Sequence, residues 1–179
     1  MRLAMLAICL GTAVNAETCP PAPDLEPDKS RVLEAVRTAP TELRAREMAN
    51  EMWELWTRAP DVTAQELLNE GIDRREAFDF AGALAALNAL VDYCPNYAEG
   101  YNQRAFVNFI RQDYALAIVD LDRALDLSPD HFAAMSGKAL SLLGLGRLDE
   151  AHVVLREALT LNPWLPERGF LPELQGEPI

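Results

Sequence analysis

Positive charge is scarce in this chain. Its 179 residues carry 16 Lys and Arg against 28 Asp and Glu, a net charge of −12. That balance excludes sequence-independent binding to nucleic acid, which needs cations to neutralise phosphates, and docking on an anionic lipid surface. Histidine is scarcer still. His131 and His152 lie 21 apart, with no Cys or carboxylate at ligand spacing, so neither a metal nor any other cofactor is expected. His131 reads as a turn residue and His152 as a helix-surface residue. Asp120, Asp122, Asp126 and Asp130 imitate a calcium loop poorly. Leu125 stands where that loop needs Gly, and His131 where it needs Glu. There is no Gly-x-Ser-x-Gly elbow, no suggestive Cys–His pair and no glycine-rich phosphate loop, so no catalytic residue is assigned.

Long apolar runs are absent too. The uncharged run Leu3–Val14 falls short of the roughly 20 residues that span a membrane. Met1-Arg2 precedes it, and small residues follow at Val14 and Ala16. Residues 1–16 therefore read as a signal peptide, cut between Ala16 and Glu17. The expectation is export, to the periplasm, with no stable membrane insertion after cleavage. Of three cysteines, Cys9 would leave with the signal, while Cys19 and Cys94 remain. Two readings stay open for that pair: a disulfide closing a loop of about 75 residues, or two unpaired thiols.

What is present is a helical chain with internal repetition. Half the residues are hydrophobic and a quarter are charged, enough for one packed domain. Residues 17–29 hold Pro20, Pro21, Pro23 and Pro27 and read as a linker. Residues 30–60 read as a helical cap of two segments, the second with an apolar face of Ala45, Met48, Ala49, Met52, Leu55 and Trp56. From 64 to 165 the chain repeats every 34 residues. Pro95, Pro129 and Pro163 keep that step, as do Ala83, Ala117 and Ala151, and Leu87, Leu121 and Leu155. Gly71, Ala105 and Ala139 keep it with small residues. Such a period means stacked units, none able to bury its own face alone. Each of three units (64–97, 98–131, 132–165) reads as two helices, with first helices near 64–77, 97–110 and 131–144 and second helices near 80–93, 114–126 and 148–160. A capping box at Thr63–Glu66 and caps from Asp79, Asn96, Asp113 and Asp130 would start them. Residues 166–179 form a tail, and Trp164, Leu165, Phe170 and Leu171 are expected to fold back over the third unit.

Ala83-x3-Leu87-x2-Leu90-x4-Pro95, Ala117-x3-Leu121-x2-Ala124-x4-Pro129 and Ala151-x3-Leu155-x2-Ala158-x4-Pro163 resemble the second half of the tetratricopeptide repeat. The first half departs from it, with Glu70, Arg104 and Lys138 in place of a Leu. The resemblance implies an all-α, right-handed helix-turn-helix solenoid of an exported bacterial type, with a degenerate N-terminal unit capping the stack. It also implies a concave groove lined by the first helices, with Asn69, Ile72, Arg75, Asn102, Gln103, Phe106, Phe109, Ile110 and Leu140 facing a partner peptide or protein. The plainer reading of Ile72, Phe106, Ile110 and Leu140 is core. Some members hold an acidic C-terminus in a clamp of cations and amides. Here the matching positions are Leu68, Ile72, Gln103, Ala133 and Gly137, so binding of that kind is not expected. The function implied is a non-enzymatic scaffold or assembly module of the cell envelope. The alternative is an envelope enzyme, or its accessory subunit, with an unrecognised carboxylate site.

Overall fold

A computed structural model describes residues 18–174; the expected signal peptide and its expected cut between Ala16 and Glu17 lie outside them, as do residues 175–179. Proline decides where the first helix begins. α1 (Glu26–Arg37) starts inside the stretch expected to be linker, because Pro27 occupies its first turn. There the missing amide is no loss and the fixed φ suits a helix. Glu26 and Asp28 add negative charge at the positive end of the helix dipole. α2 (Glu42–Trp56) follows a Thr41 cap, whose side chain accepts from the Arg44 amide.

Six more helices form three pairs: α3 (Val62–Glu76) with α4 (Phe80–Tyr93), α5 (Ala98–Ile110) with α6 (Tyr114–Leu127), and α7 (Phe132–Gly144) with α8 (Leu148–Leu161). Among the described residues the fold is all-α. One contact recurs at the 34-residue step. Leu87 presses on Gly71, Leu121 shares a core with Ala105, and Leu155 shares one with Ala139. Ala83, Ala117 and Ala151 are all buried beside these contacts. The turns repeat as well. Phe78, Gln112 and Gly146 have φ of 61°, 65° and 73°. Each is followed by an amide reaching back five residues: Asp79 to Arg74, Asp113 to Asn108 and Arg147 to Leu142, at 2.8, 2.9 and 2.9 Å. This is the Schellman closure of a helix end.

Helix starts differ from expectation where a better acceptor is near. α3 is capped by Asp61, which accepts from the Ala64 amide at 2.8 Å, so no capping box forms at Thr63. Asp79 caps α4 as expected, accepting from Gly82. Asp113 makes no side-chain cap, and neither does Asn96, since α5 starts after Tyr97. Asp130 accepts from Ser128 Oγ instead, and α7 is capped by His131 Nδ1, which accepts from the Ala134 amide.

The N-terminal hairpin is placed differently from a first repeat. α5 touches both α3 and α7, so the first helices line the inner side of the stack. α1 and α2 do not continue that stack ahead of α3. Instead Val32, Val36, Met52, Leu55 and Trp56 share one core with Phe132, Ala158 and Leu165. The hairpin thus covers the end of the third pair, whose apolar face has no following repeat. The tail completes the closure. Trp164 Nε1 donates to the Ala39 carbonyl at 3.0 Å, and Leu165 enters the hairpin core. Leu171 packs on Ala139 and Leu155, as expected of the tail. Phe170 does not fold back; it ends a short 3-10 segment (Pro166–Phe170) and remains half exposed.

Candidate functional site

The hairpin and the tail leave one stretch of the inner face open. A pocket of about 330 Å³ lies between α2, α5, α7 and the 3-10 segment, walled by Trp53, Arg75, Gln103, Phe106, Leu140 and Glu167. Phe106 is 45% exposed there and Trp53 37%, so the pocket presents two large apolar side chains to solvent. Asn102 also lines it. Four of the residues expected in a groove lie elsewhere. Asn69 is exposed and accepts from Gln65 Nε2 at 3.1 Å. Ile72 packs on the core of the first pair. Phe109 packs on that of the second, its ring centroid 5.6 Å from that of Tyr114. Ile110 is the last residue of α5 and faces solvent outside the pocket. Ile72 and Phe109 are drawn away by the cores of their own pairs, and Asn69 and Ile110 face solvent outside the pocket.

Beneath the pocket floor runs a buried polar chain. The Arg75 guanidinium lies 4.7 Å from the centroid of Phe106 and donates to Gln103 Oε1. Gln103 in turn donates to Glu99, whose carboxylate also accepts from Asn102 Nδ2. His131 Nε2 meets Glu99 Oε2 at 2.9 Å. Because His131 Nδ1 accepts from the Ala134 amide, the ring proton sits on Nε2 and donates to the carboxylate. The imidazole stacks on Trp56 with centroids 3.7 Å apart. The Tyr97 hydroxyl donates to the Trp56 carbonyl at 2.8 Å. Burial, with Glu99 nearby, pushes that phenol well above its ordinary pKa, so it stays a donor. Burial acts on Arg75 in the opposite sense and lowers its pKa.

Glu99 and His131 are both about 1% exposed at their side chains. A carboxylate with three donors and an imidazole with both nitrogens engaged are held to fix geometry, with no free position to pass a proton to a ligand. Among the described residues no group of three or more His, Cys, Asp and Glu could hold a metal, and no helix is long and apolar enough to cross a membrane. Cys19 and Cys94 form a disulfide, Cα–Cα 5.1 Å, tying the N-terminal segment to the end of α4.

His131 is thus no turn residue on the surface. The sequence held a signal for it: His131 follows Tyr97 by 34, and Tyr97 is buried at the equivalent helix start. Trp53 and Glu167, which complete the pocket, carry no comparable signal, because neither belongs to the repeat.

A family model described as tetratricopeptide repeat matches residues 109–163. The chain is 42% identical over 79 residues to a tetratricopeptide repeat protein 36 homolog of Nematostella vectensis, covering 44% of each. It is 30% identical over 121 residues to a TPR repeat-containing protein of Rhizobium etli, covering 68% of this chain and 55% of that one. The chain spans about half the length of these curated relatives. Among solved structures, the TPR2B domain of yeast Sti1 in its pHsp70 complex superposes with a TM-score of 0.56 at 24% identity, over 61% of this chain and 86% of that one. The TPR domain of Arabidopsis OM64 does so with 0.60 at 17% identity, over 64% and 96%. At these identities the likeness is one of fold.

Proposed function

We propose that this chain is a tetratricopeptide-repeat protein, an exported, non-catalytic module that holds a segment of another protein in the pocket between α2, α5, α7 and the tail. One observation carries the reading: Phe106 and Trp53 stand 45% and 37% exposed in the wall of one concave pocket. A concave, mostly apolar pocket with a few fixed polar groups is the usual form of a ligand site. The Arg75–Gln103–Glu99 chain holds its floor rigid, and rigidity lowers the entropy lost on binding. The Sti1 domain is described in a complex with pHsp70, which supports a peptide as ligand for the fold. The partner differs from an acidic tail clamped by cations, since Leu68, Ile72, Gln103, Ala133 and Gly137 supply none.

The Cys19–Cys94 disulfide supports export, because such bonds persist in oxidising compartments. A scaffold or assembly role in the cell envelope follows from these two readings together. The alternative of a carboxylate enzyme draws no support from Glu99, which is buried and saturated with donors.

The test compares Phe106→Asp with Val119→Asp, which changes an exposed residue of α6 outside the pocket. In capture from envelope extract, the first variant is expected to lose the proteins that the wild type retains, and the second to keep them. Equal recovery by Phe106→Asp would remove the pocket from the account.

A further inference from the structure

One residue that lines the pocket carries a polar atom with no partner in the chain. Glu167 Oε2 is shut off from solvent and has no hydrogen-bond partner, the only side-chain atom among the described residues in that state. Glu167 lines the pocket together with Phe106 and Leu140. A buried carboxylate oxygen without a donor is unfavourable, more so than a neutral acceptor. The pocket's own cation does not relieve it. Arg75 is committed to Gln103, to the face of Phe106 and, at 3.6 Å, to Glu76. Glu167 is itself part-exposed, so its carboxylate gives the pocket a negative charge that a ligand cation would complement. The whole molecule carries −12, so its field draws cations and repels acids.

We infer that the pocket recognises a peptide segment pairing a Lys or Arg with a neighbouring apolar side chain. The cationic head donates to Glu167, and the apolar side chain lies against Phe106, Leu140 and Trp53. At about 330 Å³ the space holds one or two side chains, not an extended strand of many residues. The inference rests on the pocket reading proposed above and adds the chemistry of the ligand. Recognition couples an attraction to a rejection: an acidic segment would set a second carboxylate beside Glu167.

The experiment uses the intact, disulfide-bonded chain and three labelled synthetic peptides. They share the same apolar residues, flanked by Lys and Arg, by Asp and Glu, or by Gln, and binding is read by fluorescence anisotropy. The basic peptide is expected to bind about tenfold or more tightly than the Gln peptide, a charge-assisted hydrogen bond, and to weaken as salt rises. Glu167→Gln should abolish that preference. Phe106→Ala should weaken all peptides that bind. A basic preference that survives Glu167→Gln would overturn the proposal, since surface charge alone would explain it. So would equal or better binding of the Gln or acidic peptide; if Phe106→Ala still weakened that binding, the pocket reading would stand without this ligand. Failure of all three peptides to bind, or binding indifferent to Phe106→Ala, would remove both.

Discussion

Gly71 shows how closely the repeat packs at the level of single residues. A Cβ there would sit 2.6 Å from Leu87 Cγ, a separation real side chains do not reach. Neighbouring registers hold Ala105 and Ala139 at the same contact, so the space admits a methyl in two units and nothing in the first. Gly71→Ala is expected to lower stability by about 1–3 kcal/mol through overpacking, read by urea unfolding; an unchanged midpoint would mean the two helices part more readily than the contact implies. The small–large alternation was legible in the sequence because both partners of the contact belong to one 34-residue period. The chain from Arg75 to His131 was not. Arg75 reaches Gln103 across 28 residues and Glu99 reaches His131 across 32, so none of its links follows the period. Only the stacking of one unit on the next brings them together.

At the level of helices, the departures from the family's pattern turn out to be ion pairs. Where the family has a Leu, Glu70 meets Arg74 at 2.7 Å, Arg104 meets Asp120, and Lys138 meets Asp122 at 2.6 Å. Arg104–Asp120 ties α5 to α6 within one pair, and Lys138–Asp122 ties α7 to α6 of the pair before it. Helix starts are charged as well. The Ala64 amide and the Tyr93 hydroxyl hold the Asp61 carboxyl below the usual range. The Gly82 amide and Arg74 do the same for Asp79. A carboxyl whose pKa is lower folded than unfolded stabilises above its unfolded value of about 4 and loses that contribution as pH falls through the folded one. Melting temperature should therefore drop steeply below about pH 4. The Asp61→Asn, Asp79→Asn double variant, which keeps capping oxygens that do not titrate, should drop less steeply. Identical slopes would show that the ionised caps contribute nothing.

Closure is the property of the whole molecule. A stack of three pairs exposes two end faces, and here the N-terminal hairpin closes the later one rather than preceding the earlier one. The sequence displayed an amphipathic α2 and an apolar tail, but an apolar face does not say what it meets. Val36, Trp56 and Leu165 are equally compatible with either end of the stack until the path of the chain is known. The disulfide holds the segment leading into α1 at the end of α4, so the hairpin begins beside the first pair and crosses to the third. That crossing puts Trp53 and Glu167 in the wall of the pocket on the inner face. The proposed interaction site thus depends on a contact between parts of the chain 75 residues apart, the stack of Trp56 on His131 at 3.7 Å.

A double-mutant cycle on that stack tests this arrangement most directly. Trp56→Leu, His131→Gln and their combination would be compared by urea unfolding of the disulfide-bonded chain. An interaction energy of about 0.5–1.5 kcal/mol is expected for stacked rings in contact. Strict additivity of the two single effects would contradict the placement of the hairpin on the third pair, and with it the pocket.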